Sequence, residues 1–294
     1  MHKPYTGLQY SLFRAVFGLY LLVHFIALLP WSAETFSAVG MLPQAGDSPL
    51  IRAFPNVLGW LDTPLFVAVF VGSGAVASVF FLLGYGDRVA ALWLWYVLAC
   101  LYGRNPLTGN PSLPFVGWML LFHVAAPPAP PGSLGGWRRP ELAAAWHMPR
   151  SLYGAVWLLM ALAYSYSGYT KLISPSWIDG TALWHVLHNP LARPLIFRDL
   201  LLAAPPIVLK GCTWGVLGLE LGFAPLAGFR SLRLFLWLSM LSLHIGLVGL
   251  IDFADLSIGM IMLHLLTFDP NWLSTLSTNP SVNPRQRVSR LIGG

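Results

Sequence analysis

Eight stretches of the chain run apolar for long enough, or nearly long enough, to cross the roughly 30 Å core of a lipid bilayer, which takes about 20 helical residues. They fall at Leu8–Leu29, Pro64–Leu83, Val89–Tyr102, Leu113–Ala126, Leu152–Gly168, Ile207–Gly228, Leu232–Leu250 and Leu256–Phe268. Polar residues, Gly and Pro collect between them. No stretch alternates apolar and polar positions as a half-buried strand would. The pattern predicts an all-α, polytopic membrane bundle of about eight transmembrane helices spanning residues 1–273, followed by a cytoplasmic tail over 274–294 that is expected to be disordered. The Pro-rich run Pro127–Pro131 reads as a stiff connection. The first apolar stretch lacks a small residue at the minus-three position before Ala33, so it reads as a retained helix rather than a cleaved signal.

Composition narrows the class further. Of 294 residues, 56% are hydrophobic and only 10% charged, and the mean hydropathy is +0.66. Soluble domains run near one quarter charged, so this chain has too little polar surface to cover a water-facing globule. The net charge of +6 does not point to nucleic acid, because the basic residues sit in connections instead of forming a basic face interleaved with aromatics. Cys100 and Cys212 form no CxxC pair and read as small apolar residues.

Charge also gives an orientation. In the eight-helix reading, one side carries ten Lys/Arg against three Asp/Glu, and the other carries six against seven. The basic side is expected to face the cytoplasm, with both termini on it, in a bacterial-type inner membrane. The longer segments Trp31–Thr63 and Tyr169–Pro206 then lie outside, and any site is expected to open there.

Ionisable side chains inside membrane helices cost roughly 3 kcal/mol or more unless paired or wetted. Arg14, His24, Glu220 and His244 are the candidates. Arg14 and Glu220 are expected to form a structural ion pair between the first and sixth helices, because an opposite charge is the cheapest partner for either. His24 reads as a hydrogen-bonded packing residue. His185 and His188 are spaced i, i+3, but two ligands do not make a metal site, and no metal is expected.

The richest stretch for chemistry runs from Tyr164 to Leu183. An apolar helix there reaches Gly168, meets Lys171 a turn later and breaks at Pro175. Among Tyr164, Tyr166, Tyr169 and Trp177, the Lys171 amine would be partly desolvated, which favours the neutral form that accepts protons. The plainer alternative is an interfacial lysine whose stem lies along apolar surface. His244, about one turn from the outer end of its helix, could share the same outward cavity.

Gly168-Tyr-Thr-Lys171-Leu followed by Trp177-Ile-Asp179-Gly180 resembles the signature of the vitamin K-dependent γ-carboxylase superfamily, also called the horizontally transferred transmembrane family. Arg14, Arg104-Asn105-Pro106 with Asn110, Glu220, and His244 with Ser257-Ile-Gly-Met260 resemble further parts of the pattern in the same order. The resemblance implies Lys171 as the base that deprotonates reduced vitamin K or another quinol, with His244 beside it. In that family the oxygenated form then removes a γ-proton from glutamate so that carbon dioxide can add. Tyr164, Trp177, Asp179, Asn110 and Arg104 are the expected substrate-binding residues. The partners implied are membrane lipid and a secreted peptide or protein substrate. The competing expectation is a non-catalytic membrane factor binding a secreted peptide or lipid, of the peptide-toxin maturation or immunity type.

Overall fold

In the computed structural model, residues 5–272 are described, and all of the regular structure among them is helical apart from one isolated bridge between Ala192 and Ile251. In chain order the helices are α1 (Gly7–Leu28), α2 (Ser32–Phe36), α3 (Pro64–Leu83), α4 (Asp87–Arg104), α5 (Leu113–Ala125), α6 (Leu134–Arg138), α7 (Pro140–Ala144), α8 (Arg150–Lys171), α9 (Pro175–Ile178), α10 (Ala182–His188), α11 (Ile196–Ala203), α12 (Pro206–Ala227), α13 (Arg230–Leu250) and α14 (Ala254–Thr267). Each of the eight apolar stretches is a helix. The expected tail over 274–294 lies outside the described residues.

Four segments are both long and apolar enough to cross a membrane: Gly7–Phe36, Pro64–Leu83, Pro206–Ala227 and Arg230–Leu250. The helices α5 and α14 are apolar but short, and α4 and α8 carry charged residues at their ends. Membrane character also shows in where the apolar residues point. On α1, Tyr10, Phe13, Phe17, Leu21 and Phe25 are buried, while Leu8, Leu12, Leu19, Val23 and Ile26 are all more than half exposed. A helix apolar on both its packed and its outward face suits a lipid surround.

Local chemistry sets the helix ends. Thr6 caps α1 by accepting from the Gln9 N–H at 3.2 Å, and Thr63 caps α3, which opens with Pro64 at a position where the missing N–H costs nothing. Gly84 ends α3 in the left-handed region, φ +68°. A side chain there would also collide, since a Cβ would sit 2.5 Å from Ser133 Cβ and 2.8 Å from Arg14 Cζ.

The helices pack as two groups, with one short helix between them and a direct contact of α5 with α8. α1 lies along α3, α3 on α4 and α4 on α5, while α8 lies along α12 and α12 meets α13. α14 touches α1, α5, α8 and α13. Its buried residues Ser257, Gly259, Met260, Met262, Leu263, His264, Leu266 and Thr267 surround the helix, as expected of a central element. Cys100 is buried as expected, whereas Cys212 is exposed, on an outward position of α12.

Candidate functional site

Lys171 closes α8, and its Nζ forms an ion pair with Glu220 Oε2 on α12. Nζ also donates to Ser167 Oγ at 2.7 Å, one turn back on its own helix, and lies 4.9 Å from the centre of the Trp177 ring on α9. The Lys171 side chain is 21% exposed and that of Glu220 6%. The two helices can come this close because residue 168 is glycine: a Cβ there would stand 2.7 Å from the Leu221 N and 3.0 Å from the Glu220 carbonyl carbon.

The expected pairing of Arg14 with Glu220 is therefore wrong. The Arg14 guanidinium, 1% exposed, donates through Nη1 to the carbonyl oxygens of Phe81 and Leu82. Both lie in the last turn of α3, where carbonyls outnumber the backbone donors and the helix dipole places negative charge; Phe81 O also accepts from the Gly84 N–H at 3.1 Å. Pairing formal charges overlooked a neutral acceptor that serves a cation equally well, and left Glu220 for Lys171.

α12 is interrupted beside this pair. Pro225 has no N–H to give to the Leu221 carbonyl, and Ser165 of α8 fills the gap. Its hydroxyl lies 3.1 Å from Glu220 O and 3.2 Å from Leu221 O, and accepts from the Ala224 N–H at 2.9 Å. A side chain is thus inserted into the hydrogen-bond ladder directly after Glu220. Sequence reasoning passed over Ser165; Pro225 inside an apolar helix was the signal that some neighbour must supply a hydroxyl.

Two turns before Lys171 on the same helix, Tyr164 is 3% exposed. Its hydroxyl lies 3.0 Å from His244 Nε2 and 3.5 Å from His264 Nε2. His244 Nδ1 is 3.4 Å from Ser257 Oγ, and His264 Nδ1 is 3.0 Å from the Met260 carbonyl. A carbonyl can only accept, so His264 Nδ1 carries a proton and its Nε2 faces Tyr164 as an acceptor or, if the ring is charged, a donor. Phe223 packs on Tyr164 with ring centroids 4.8 Å apart, and Trp237 donates to the His264 carbonyl at 3.1 Å. This network adjoins the ion pair, since Tyr164 and Lys171 lie two turns apart on one face of α8, and Phe223, which packs on Tyr164, stands three residues after Glu220 on α12. His264 was missed. It stands seven residues after Ser257, two turns along one face of α14.

The aromatic shell is smaller than expected. Tyr166 and Tyr169 are 68% and 66% exposed, because helical periodicity puts them on other faces of α8 than Lys171. Trp177 alone covers Nζ. Asp179 does not reach the pair: it accepts from the Thr181 hydroxyl at 2.6 Å and the Thr181 N–H at 2.9 Å, and these bonds hold its carboxyl below the usual carboxylate range.

Asn110 and Arg104 bind protein groups. Asn110 Nδ2 donates to Asp255 Oδ2 at 2.7 Å, and Asp255 Oδ1 also accepts from Tyr20 at 2.8 Å and faces His24 Nδ1 at 3.2 Å. His24 is thus a hydrogen-bonded packing residue, in a cluster that ties α1 and the start of α5 to the start of α14. Arg104, fully buried, donates to Leu42 O and to Asp62 Oδ2 at 2.6 and 2.9 Å. Both side chains thus hold protein groups in this structure, and Arg104 keeps Nε and Nη1 buried without a partner. His188 Nδ1 meets the Trp184 carbonyl at 2.8 Å. Among the described residues no group of three or more His, Cys, Asp or Glu could hold a metal.

Two cavities, of about 610 and 270 Å³, lie away from Lys171. Searches against family models, curated proteins and solved structures match nothing to this chain.

Proposed function

We propose that the chain is an integral membrane enzyme in which Lys171 and Glu220 act together as the base toward a lipid-soluble acid of the quinol class, the class implied by the resemblance to the γ-carboxylases. The observation that carries this reading is the Lys171–Glu220 pair itself, set at a helix interruption, roofed by Trp177 and adjoining the Tyr164–His244–His264 network. Clusters of ionisable groups held in apolar surroundings are where proton chemistry is found. The chain is read as crossing the membrane eight times with cytoplasmic termini, so that this centre faces outward.

The chemistry follows from the pair. The ionic form cannot take up a proton at Nζ. Transfer of one proton from Nζ to Glu220 Oε2 gives a neutral amine and a carboxylic acid, a form that a low-dielectric site penalises less than separated charges. The amine then takes the proton of a substrate O–H, and the new ammonium pairs with the substrate oxyanion. The quinol is thus a substrate that comes from the membrane, and Trp177 must leave Nζ to admit it. Tyr164 and His244 serve as neighbours that donate to, or take protons from, the developing anion.

Lys171→Arg keeps the charge and the partner but holds its proton at any physiological pH. Expression and melting are expected near wild type, with loss of the phenotype that deletion of the gene produces; full function in this variant overturns the base assignment. The same ion pair favours a second reading, a non-catalytic factor that binds a secreted peptide or lipid with Lys171 as a fixed charge. On that reading Lys171→Arg retains function and Lys171→Gln loses it.

A further inference from the structure

The larger cavity, about 610 Å³, lies at the far end of α3 and belongs to no part of the Lys171 centre. Leu82, Leu83, Leu134, Trp137 and Ala143 supply apolar walls, with Ser133 among them. Trp137, on the short helix α6, is 81% exposed. Arg138 and Arg139 follow it, both exposed, and Arg138 lies 4.7 Å over the ring of Tyr85. Behind the wall, the positions around Gly84 bring the Arg14 guanidinium close to Ser133. The Nε of Arg14 is buried with no partner.

An apolar slot of this size with an indole among its lining residues, two exposed arginines next to that indole in sequence and a third arginine behind its wall fits an amphiphile with an anionic head. We infer that this cavity binds an anionic glycerophospholipid of the adjoining leaflet, with acyl chains against the leucines and the phosphate toward Arg138 and Arg139. Charge decides against the chain's own C-terminal segment as occupant, since residues 273–294 carry Arg285, Arg287 and Arg290 and no acidic residue. The segment 138–150, which supplies Pro140 and Ala143 to the cavity, carries one acid, Glu141, against Arg138, Arg139 and Arg150, and is net basic.

Vesicles distinguish a site from a greasy surface. The full chain is reconstituted into phosphatidylcholine vesicles containing either phosphatidylglycerol or further phosphatidylcholine brominated on the acyl chains. The Trp137 signal is taken as the difference in emission between wild type and Trp137→Phe. Brominated phosphatidylglycerol is expected to quench it at roughly tenfold lower membrane fraction than brominated phosphatidylcholine, the preference that two nearby arginines give. Arg138→Gln with Arg139→Gln, both on the surface, should abolish most of that preference. Ala143→Phe, which fills the slot from its wall, should remove quenching by both lipids at unchanged melting temperature. Equal quenching by the two lipids, an undiminished preference in the double variant, or competition by inorganic phosphate would each overturn the inference.

Discussion

Lys171 and Arg14 are both cations within an apolar bundle, yet only Lys171 has a carboxylate, and this difference is measurable. Removing one member of a buried pair strands the other charge and typically costs about 3–5 kcal/mol. Lys171→Gln and Glu220→Gln should each lower stability by that order in detergent melting, while the double variant should cost clearly less than their sum. Arg14→Gln, by contrast, takes donors from the Phe81 and Leu82 carbonyls and leaves Glu220 untouched. Its cost should add to that of Glu220→Gln to within about 0.5 kcal/mol, as for sites with no shared partner; strong coupling between these two would contradict the pairing described above. Sequence made it evident that these charges must be satisfied, because each lies in an apolar run. It could not assign the partners, since a helix-end carbonyl is an acceptor that carries no letter of its own. Asn110 and Arg104 show the same limit: they donate to Asp255 and Asp62, which no spacing rule connects to them.

Between elements, the α8–α12 contact depends on one small residue and one hydroxyl. Gly168 lets the backbones approach, and Ser165 repairs the ladder that Pro225 breaks. Ser165→Ala leaves two carbonyls and the Ala224 N–H short of a partner, at about 1–3 kcal/mol for a buried group left unsatisfied. Pro225→Ala returns an N–H to the Leu221 carbonyl, so Ser165→Ala with Pro225→Ala should be more stable than Ser165→Ala alone in a melting series. If the pair of changes is instead worse than either one, Ser165 does not act through that ladder. Gly168→Ala should cost roughly 1–3 kcal/mol by forcing the helices apart, and should also weaken the Lys171–Glu220 pair. The helices themselves were legible from apolar run length, which is why all eight stretches appear near their expected bounds. The interlocking was not, because Gly168 and Ser165 lie on one helix and Pro225 on another, more than fifty residues further along the chain. Only the anomaly of a proline inside an apolar run marks the place.

At the scale of the molecule, the arrangement raises the question of which helices cross the bilayer. Four are long and apolar enough by themselves, while α5 and α14 are short, and α14 is buried on nearly every side by protein. A short helix can lie at membrane depth when other helices shield it, because lipid need not contact its ends. The uneven charge distribution gives the expected orientation: in the eight-helix reading, the side with the segment from Arg138 to Arg150 and the α12–α13 connection carries ten Lys/Arg against three Asp/Glu, and the side with the segments after α1 and around α9–α11 carries six against seven. Positive residues are retained on the cytoplasmic side. Reporter fusions after Leu29 and after Ile173 should therefore read as external, and fusions after Trp146 and at Gly294 as cytoplasmic. The two external positions are separated by four of the eight stretches, so they test the short helices α4 and α5 together with α3 and α8. If α5 failed to cross, the parity between Leu29 and Ile173 would change and the second fusion would report the cytoplasm. That result would place Lys171 on the same side as the basic connections and remove the outward-facing centre, even with the Lys171–Glu220 pair intact.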